Sequence, residues 1–160
     1  MPAIRRLRPF GLLPFPPFSA GSGGVTLPLS LADAIHDRLA GAADLAGVSR
    51  FYESQAGDRA SLPYVVYQVT AGTSLRVSST SIWLDQRVIV KTYAATQESA
   101  NDYRERIHAA LKVGPYQFQA GVSIPLFQVN QSEGKEPARS RDSQLVFRAA
   151  LEYSARTKKG

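Results

Sequence analysis

Two stretches constrain what this chain can fold into more than anything else in it. One is Tyr64-Val65-Val66-Tyr67-Gln68-Val69-Thr70, led in by Pro63, and the other runs from Ile82 to Tyr93. Both are dense in β-branched and aromatic side chains, which suit a pleated, half-buried surface far better than a helix. Gly72 and the serines between them read as a turn, so the pair predicts an antiparallel hairpin. Everything else in the chain has to be placed around it.

Helical spacing appears on either side of the hairpin. Ser30 sits where an N-cap belongs, with Asp33 at the third helical position to complete a capping box. Leu31, Ile35 and Leu39 then recur at steps of four on one face, and Gly41 marks the end. Thr96 caps a second helix whose stripe is Ala100, Tyr103, Ile107 and Leu111, stopped by Gly114-Pro115. Asp102, Arg104, Glu105, Arg106 and Lys112 are expected on its solvent side.

Two more strands follow. Val122 to Val129 reads as a third strand, with Pro125 pushing it toward an edge or a bulge. Residues 130–143 hold no large apolar side chain and predict a long projecting loop. In the last strand Leu145, Phe147, Leu151 and Tyr153 share one face, and Arg148, Glu152 and Ser154 share the other. The expected fold is α+β: a mainly antiparallel four-stranded sheet with two helices packed on one face and a long loop between the last two strands.

At 160 residues the chain has room for one domain with a real core, placed at residues 25–155. Residues 1–24 form a Pro-, Gly- and Phe-rich basic arm ending in Ser19-Ala20-Gly21-Ser22-Gly23-Gly24, a flexible joint by composition. Pro9, Pro14, Pro16 and Pro17 spoil the arm as a signal-peptide h-region, and no stretch of about 18 apolar residues offers a bilayer span. The expectation is cytoplasmic synthesis without a membrane partner, and the absence of cysteine suits a reducing compartment.

The net charge of +6 hints at nucleic acid until it is located. Arg5, Arg6 and Arg8 lie in the arm and Arg156, Lys158 and Lys159 in a basic C-terminal tail, residues 156–160; the remaining 13 basic residues balance all 13 acidic ones. A neutral core with basic ends touches phosphates weakly and lacks the basic face of a dedicated DNA-binding domain. Phe10, Phe15 and Phe18 make the arm a candidate for docking on a partner, with disorder the equal alternative.

No chemistry-bearing motif stands out. His36 and His108 are isolated on predicted helices and read as surface histidines. Gly21-Ser22-Gly23-Gly24 lacks the Lys-Ser/Thr of a P-loop and the spacing of a dinucleotide fold, so it reads as a linker. Asp33, Asp37, Glu98 and Asp102 lie in early helical turns, where the helix dipole accounts for them. The chain is therefore expected not to be an enzyme and to need no metal or cofactor. Lys135, Arg139 and Arg141, interleaved with Glu133, Glu136 and Asp142, form either a solvated loop or a protrusion that meets a partner or lines an opening for a polyanion.

Residues 28–155 resemble the tail terminator and tail-completion family of long-tailed bacteriophages and prophage-derived particles. The likeness rests on Leu29 to Leu39 as the N-terminal helix and on Leu62-Pro63-Tyr64-Val65-Val66-Tyr67 as its Pro-Tyr-Val strand. It rests also on Arg87-Val88-Ile89-Val90-Lys91-Thr92-Tyr93 followed by the helix through Arg106-Ile107-His108-Ala109-Ala110-Leu111. The resemblance implies a virion protein of the tail and neck: a homo-oligomeric ring, usually a hexamer, that caps the tail tube and joins it to the head-tail connector or stopper. DNA passing through the lumen is implied as a non-specific contact. A head-completion or connector protein of the same neck region is the first alternative, and a small basic nucleic-acid-binding protein is the alternative from another class.

Overall fold

The computed structural model describes residues 26–57, 60–76, 82–137 and 145–159. Helix α1 spans Leu31–Ala40 and opens as its sequence requires. Ser30 Oγ accepts from the Asp33 amide at 3.2 Å and Asp33 Oδ2 accepts from the Ser30 amide at 3.0 Å, closing the capping box. A 3-10 turn, Ala43–Leu45, and strand β1, Arg50–Glu53, follow. The long hairpin is β2, Tyr64–Arg76, and β3, Ile82–Ala94. Helix α2, Gln97–Leu111, is capped by Thr96, whose Oγ1 accepts from the Ser99 amide. Then come β4 (Tyr116–Phe118), β5 (Gly121–Ser123), β6 (Phe127–Pro137) and β7 (Leu145–Lys159).

The described strands form one curled, seven-stranded mixed sheet in the order β1-β2-β3-β7-β5-β4. Strand β7 is its spine. One edge pairs with β3 from Phe147 opposite Ala94 to Lys158 opposite Trp83. The other edge is shared, by β6 along Leu145 to Ser154 and by β5 along Thr157 to Lys159.

Strand alternation sorts the side chains. Val65 and Tyr67 on β2, Val88 and Val90 on β3, and Leu151, Tyr153 and Ala155 on β7 are buried on one face. Ile35 and Leu39 of α1 and Ile107 and Leu111 of α2 pack onto that face and are fully buried. Each such aliphatic side chain contributes about 1.5–3 kcal/mol by leaving water. The opposite face holds a smaller cluster in which Tyr64 stacks on Tyr93 at 4.8 Å, with Ala56 and Val146 beside them.

The structure overturns the expected four-stranded, mainly antiparallel sheet. The helices lie on one face, but β1 pairs with β2 in parallel, Arg50 opposite Tyr64, and three further pieces of strand join the sheet. β1, β4 and β5 are three or four residues long, too short to display a period of two. The expected third strand is two: β5 ends at Ser123 and β6 begins at Phe127.

The expected long loop is the larger correction. Residues 130–137 belong to β6 and pair with β7 along their length. Polar residues read as loop, yet strand pairing is made by the backbone, and an edge strand tolerates polar side chains on both faces. Gly72, expected in a turn, lies inside β2 where the register shifts between Thr70 and Thr73. A Cβ there would sit 1.0 Å from the Asp85 carbonyl oxygen, so only glycine lets the two backbones approach. The basic end joins β7, with Arg156 paired to Asp85 at 2.9 Å and Thr157 buried.

Candidate functional site

With no catalytic motif to follow, the surfaces worth building up are those the fold leaves open. Strand β6 is the first. Its inner edge pairs with β7, and its outer edge has no strand partner among the described residues. Residues alternate across it: Glu133 and Lys135 point to the helix-covered side, Glu136 to the other. Glu133 pairs with Arg104 of α2 at 2.8 Å, and Glu136 with Arg148 of β7 at 2.6 Å. One ion pair on each face thus holds an otherwise polar strand to the body.

The end of β6 that carries no charge is different. Phe127 is 74% exposed and Val129 58% exposed, at the bulge between Gln128 and Asn130. An open strand edge beside exposed apolar side chains is a ready surface for another protein, and charges such as those at 133–136 are what normally blunt it. Here they blunt only one half.

Among the loop residues singled out in the sequence, Lys135 is on β6, its Nζ 5.4 Å from the centre of the Phe147 ring. That places it in a strand, over an aromatic face, rather than on a solvated projection. Arg139 and Arg141 lie outside the described residues, as do Arg5, Arg6, Arg8, Phe10, Phe15 and Phe18 of the arm. Sequence reasoning placed Phe127 in the third strand, at an edge or bulge, without singling out its exposed side chain. It also placed Arg104 in solvent, whereas its side chain is only 12% exposed between Glu105 and Glu133.

The second region is the seam between helices and sheet. His36 of α1 shares a hydrogen bond with the Tyr67 hydroxyl at 3.3 Å, and His108 of α2 with the Tyr153 hydroxyl at 3.0 Å. Each helix is thus fastened to the sheet by one imidazole–phenol pair, so both histidines are half-buried fasteners rather than surface residues. Burial, helped by the carboxylates of Glu53, Asp33 and Asp37, pushes the Tyr67 hydroxyl up to about 12. Burial does the same to Tyr116, opposed by the Arg38 guanidinium above its ring, and raises Tyr153 as well. All three stay protonated at neutral pH and act as hydrogen-bonding core residues. Among the described residues no three of His, Asp and Glu gather as a metal site.

Where the two helices end, a groove of about 490 Å³ opens, lined by Pro28, Ala34, Ala42, Ala110, Val113 and Tyr116. Its floor is fixed by Tyr116, whose hydroxyl donates to the Leu111 carbonyl at 2.6 Å. Arg38 lies over the same ring at 5.2 Å.

No family model and no curated protein matches the sequence. Among solved structures, a chain of the virion of a native gene transfer agent particle is similar in fold, with a TM-score of 0.59 at 16% identity. The match covers 81% of this chain and 95% of that chain. At that identity the likeness is one of architecture, and it spans nearly the whole of the virion component.

Proposed function

We propose that this chain is a structural protein of a phage-like particle, and specifically a tail terminator: a ring that caps the finished tail tube and joins it to the head connector. The observation that carries the reading is the fold shared with nearly all of a virion chain. The half-defended edge of β6, with Phe127 and Val129 exposed beside it, fits a protein whose work is contact between subunits. The ring is expected to be homo-oligomeric, with six copies, and its partners are the tube protein, the connector or stopper, and non-specifically the DNA in the lumen. It would be made in the host cytoplasm and reside in the virion.

A nucleic-acid-binding module fits the geometry less well. Among the described residues, Arg87, Arg104, Arg106, Arg148 and Arg156 are each paired with an acid, so these guanidinium groups are already engaged within the fold. A head-completion protein of the same neck region is the remaining reading and would use the same surfaces on a different ring.

The test is genetic and visual. Particles made without the protein should show tails of irregular length that fail to join heads by electron microscopy, and the intact gene should restore them. Replacing Lys135, Arg139 and Arg141 together by serine should leave the melting temperature unchanged and impair joining. Full-length, regular tails lacking only heads would move the assignment to the head-completion reading. Normal particles in the deletion would refute both.

A further inference from the structure

We propose that the groove at the C-terminal ends of α1 and α2 is the docking site of the chain's own N-terminal arm, with Phe10, Phe15 or Phe18 seated between the helix ends. This does not depend on the particle reading. Three observations carry it.

The first is position. Pro28 is part of the groove wall, and Leu27 and Pro28 are tied down beside it. The Gln119 amide donates to the Pro28 carbonyl at 2.8 Å, and Gln119 Nε2 donates to the Leu27 carbonyl at 3.2 Å. The chain preceding residue 26 therefore starts at the mouth of the groove. Nine residues separate Phe18 from Pro28, including the Gly21–Gly24 joint, and at roughly 3.3–3.6 Å each they reach the groove with slack.

The second is chemistry. The wall is mostly apolar, with Asp37, Arg38 and Gln117 as its polar members, and partly uncovered: Ala34 and Tyr116 are buried beneath, while Val113 is 53% exposed at the rim and Leu29 stands open nearby. The arm carries the complementary material in Phe10, Leu12, Leu13, Phe15 and Phe18, set among prolines, whose fixed φ lowers the entropy a segment loses on docking.

The third is charge. Both helices point their carbonyl ends, the negative poles of their dipoles, at this groove, and Asp37 stands in its lining. Asp37 makes no ion pair with another described residue. Arg5, Arg6 and Arg8 precede the phenylalanines in a segment without a single acid. Arg38 is also in the lining and already lies over the Tyr116 ring, so the helix carbonyl ends and Asp37 are what the arm's arginines would meet.

The absence of cysteine makes the test clean. In the full-length protein, Val113→Cys is combined in turn with Phe10→Cys, Phe15→Cys and Phe18→Cys and exposed to mild oxidation. The control replaces Val113→Cys by Leu145→Cys, which is 56% exposed and leads into the cluster of Phe147, Ala149 and Ala100 at the opposite end of α2. At least one groove pair should form its disulfide about tenfold more readily than its control, the advantage of a docked segment over a merely tethered one. A trapped monomer on a non-reducing gel would place the arm in its own groove, as proposed; a trapped dimer would place it in that of a second copy and overturn the intramolecular docking. Equal trapping at groove and control, or none in all three groove pairs, would overturn it. As an independent readout, backbone amides of residues 5–18 should exchange more slowly in the intact chain than in its Val113→Lys variant, which removes an apolar contact and adds a charge like that of the arm. Identical exchange in the two would also overturn it.

Discussion

The helix-covered face of the sheet and the β6 strand are held by different forces, although both are sheet and both lean on β7. On the covered face, Val65, Val88, Val90, Leu151 and Ile107 are removed from water almost completely, and the polar atoms among them, the Tyr67 and Tyr153 hydroxyls, each meet a histidine. In β6 no side chain from Asn130 to Glu136 is a large hydrophobe, and the strand is kept in place by backbone pairing and two ion pairs. The first arrangement is stable by itself. The second is stable only as far as its neighbours hold it, which is the property expected of a segment that is completed by assembly.

The sharpest way to break this comparison is to charge the covered face. Ile107→Asp places a carboxylate at a fully buried position within an apolar cluster, and should lower stability by about 3–5 kcal/mol or abolish cooperative unfolding altogether. A melting curve like that of the parent chain would mean that α2 does not bury this side.

Next in size is alkaline destabilisation of the same region. Tyr67 and Tyr116 have hydroxyl pKa values raised to about 12 in the folded state, above the ordinary value of 10.0 that they regain on unfolding. Protonated tyrosine is therefore favoured by folding, so its contribution is fully present below pH 10 and is lost as pH rises from about 10 toward 12. The melting temperature should be flat up to that window and fall within it. Tyr67→Phe should make the fall shallower; an unchanged slope would remove burial of this hydroxyl as its cause.

Smaller effects belong to β6. Arg104→Ala should cost about 1 kcal/mol, because a largely covered guanidinium is lost and Glu133 is left without it. Hydrogen exchange should accelerate in β6 and not in β3. Glu133→Gln should reproduce part of the loss, and the double variant should fall short of the sum if the two residues act through each other. Exchange that quickens equally in both strands would erase the distinction between the two regions. The smallest effect is expected of Lys135→Ser, within about 0.5 kcal/mol of the parent, since a single exposed ammonium over a ring contributes little.

The same contrast explains what could be read from the amino-acid sequence. Both helices, their caps at Ser30 and Thr96, and the buried stripe through Ile107 were legible because apolar periodicity and capping side chains determine them locally. Strands β2, β3 and β7 were legible for the same reason. Strand β6 was not, since its side chains carry no period and its partner lies in β7, whose backbone holds it. Nor was β1, where Phe51 and Tyr52 are adjacent and the parallel pairing with β2 closes across an intervening segment. The candidate contact surface was half legible. Lys135 was noticed for its charge, but the exposure of Phe127 follows from the break between β5 and β6, which Pro125 alone could only hint at.

The covered face folds the molecule, and the open end of β6 is the surface proposed to join it to its neighbours. Phe127→Asp tests both halves at once in the full-length protein. The account predicts a melting temperature within about a degree or two of the parent chain, because a 74% exposed side chain contributes little to the fold. Together with that, the proposed ring should be lost when particle mass is measured across a range of salt. A variant that unfolds, or one that still assembles as the parent chain does, would contradict it.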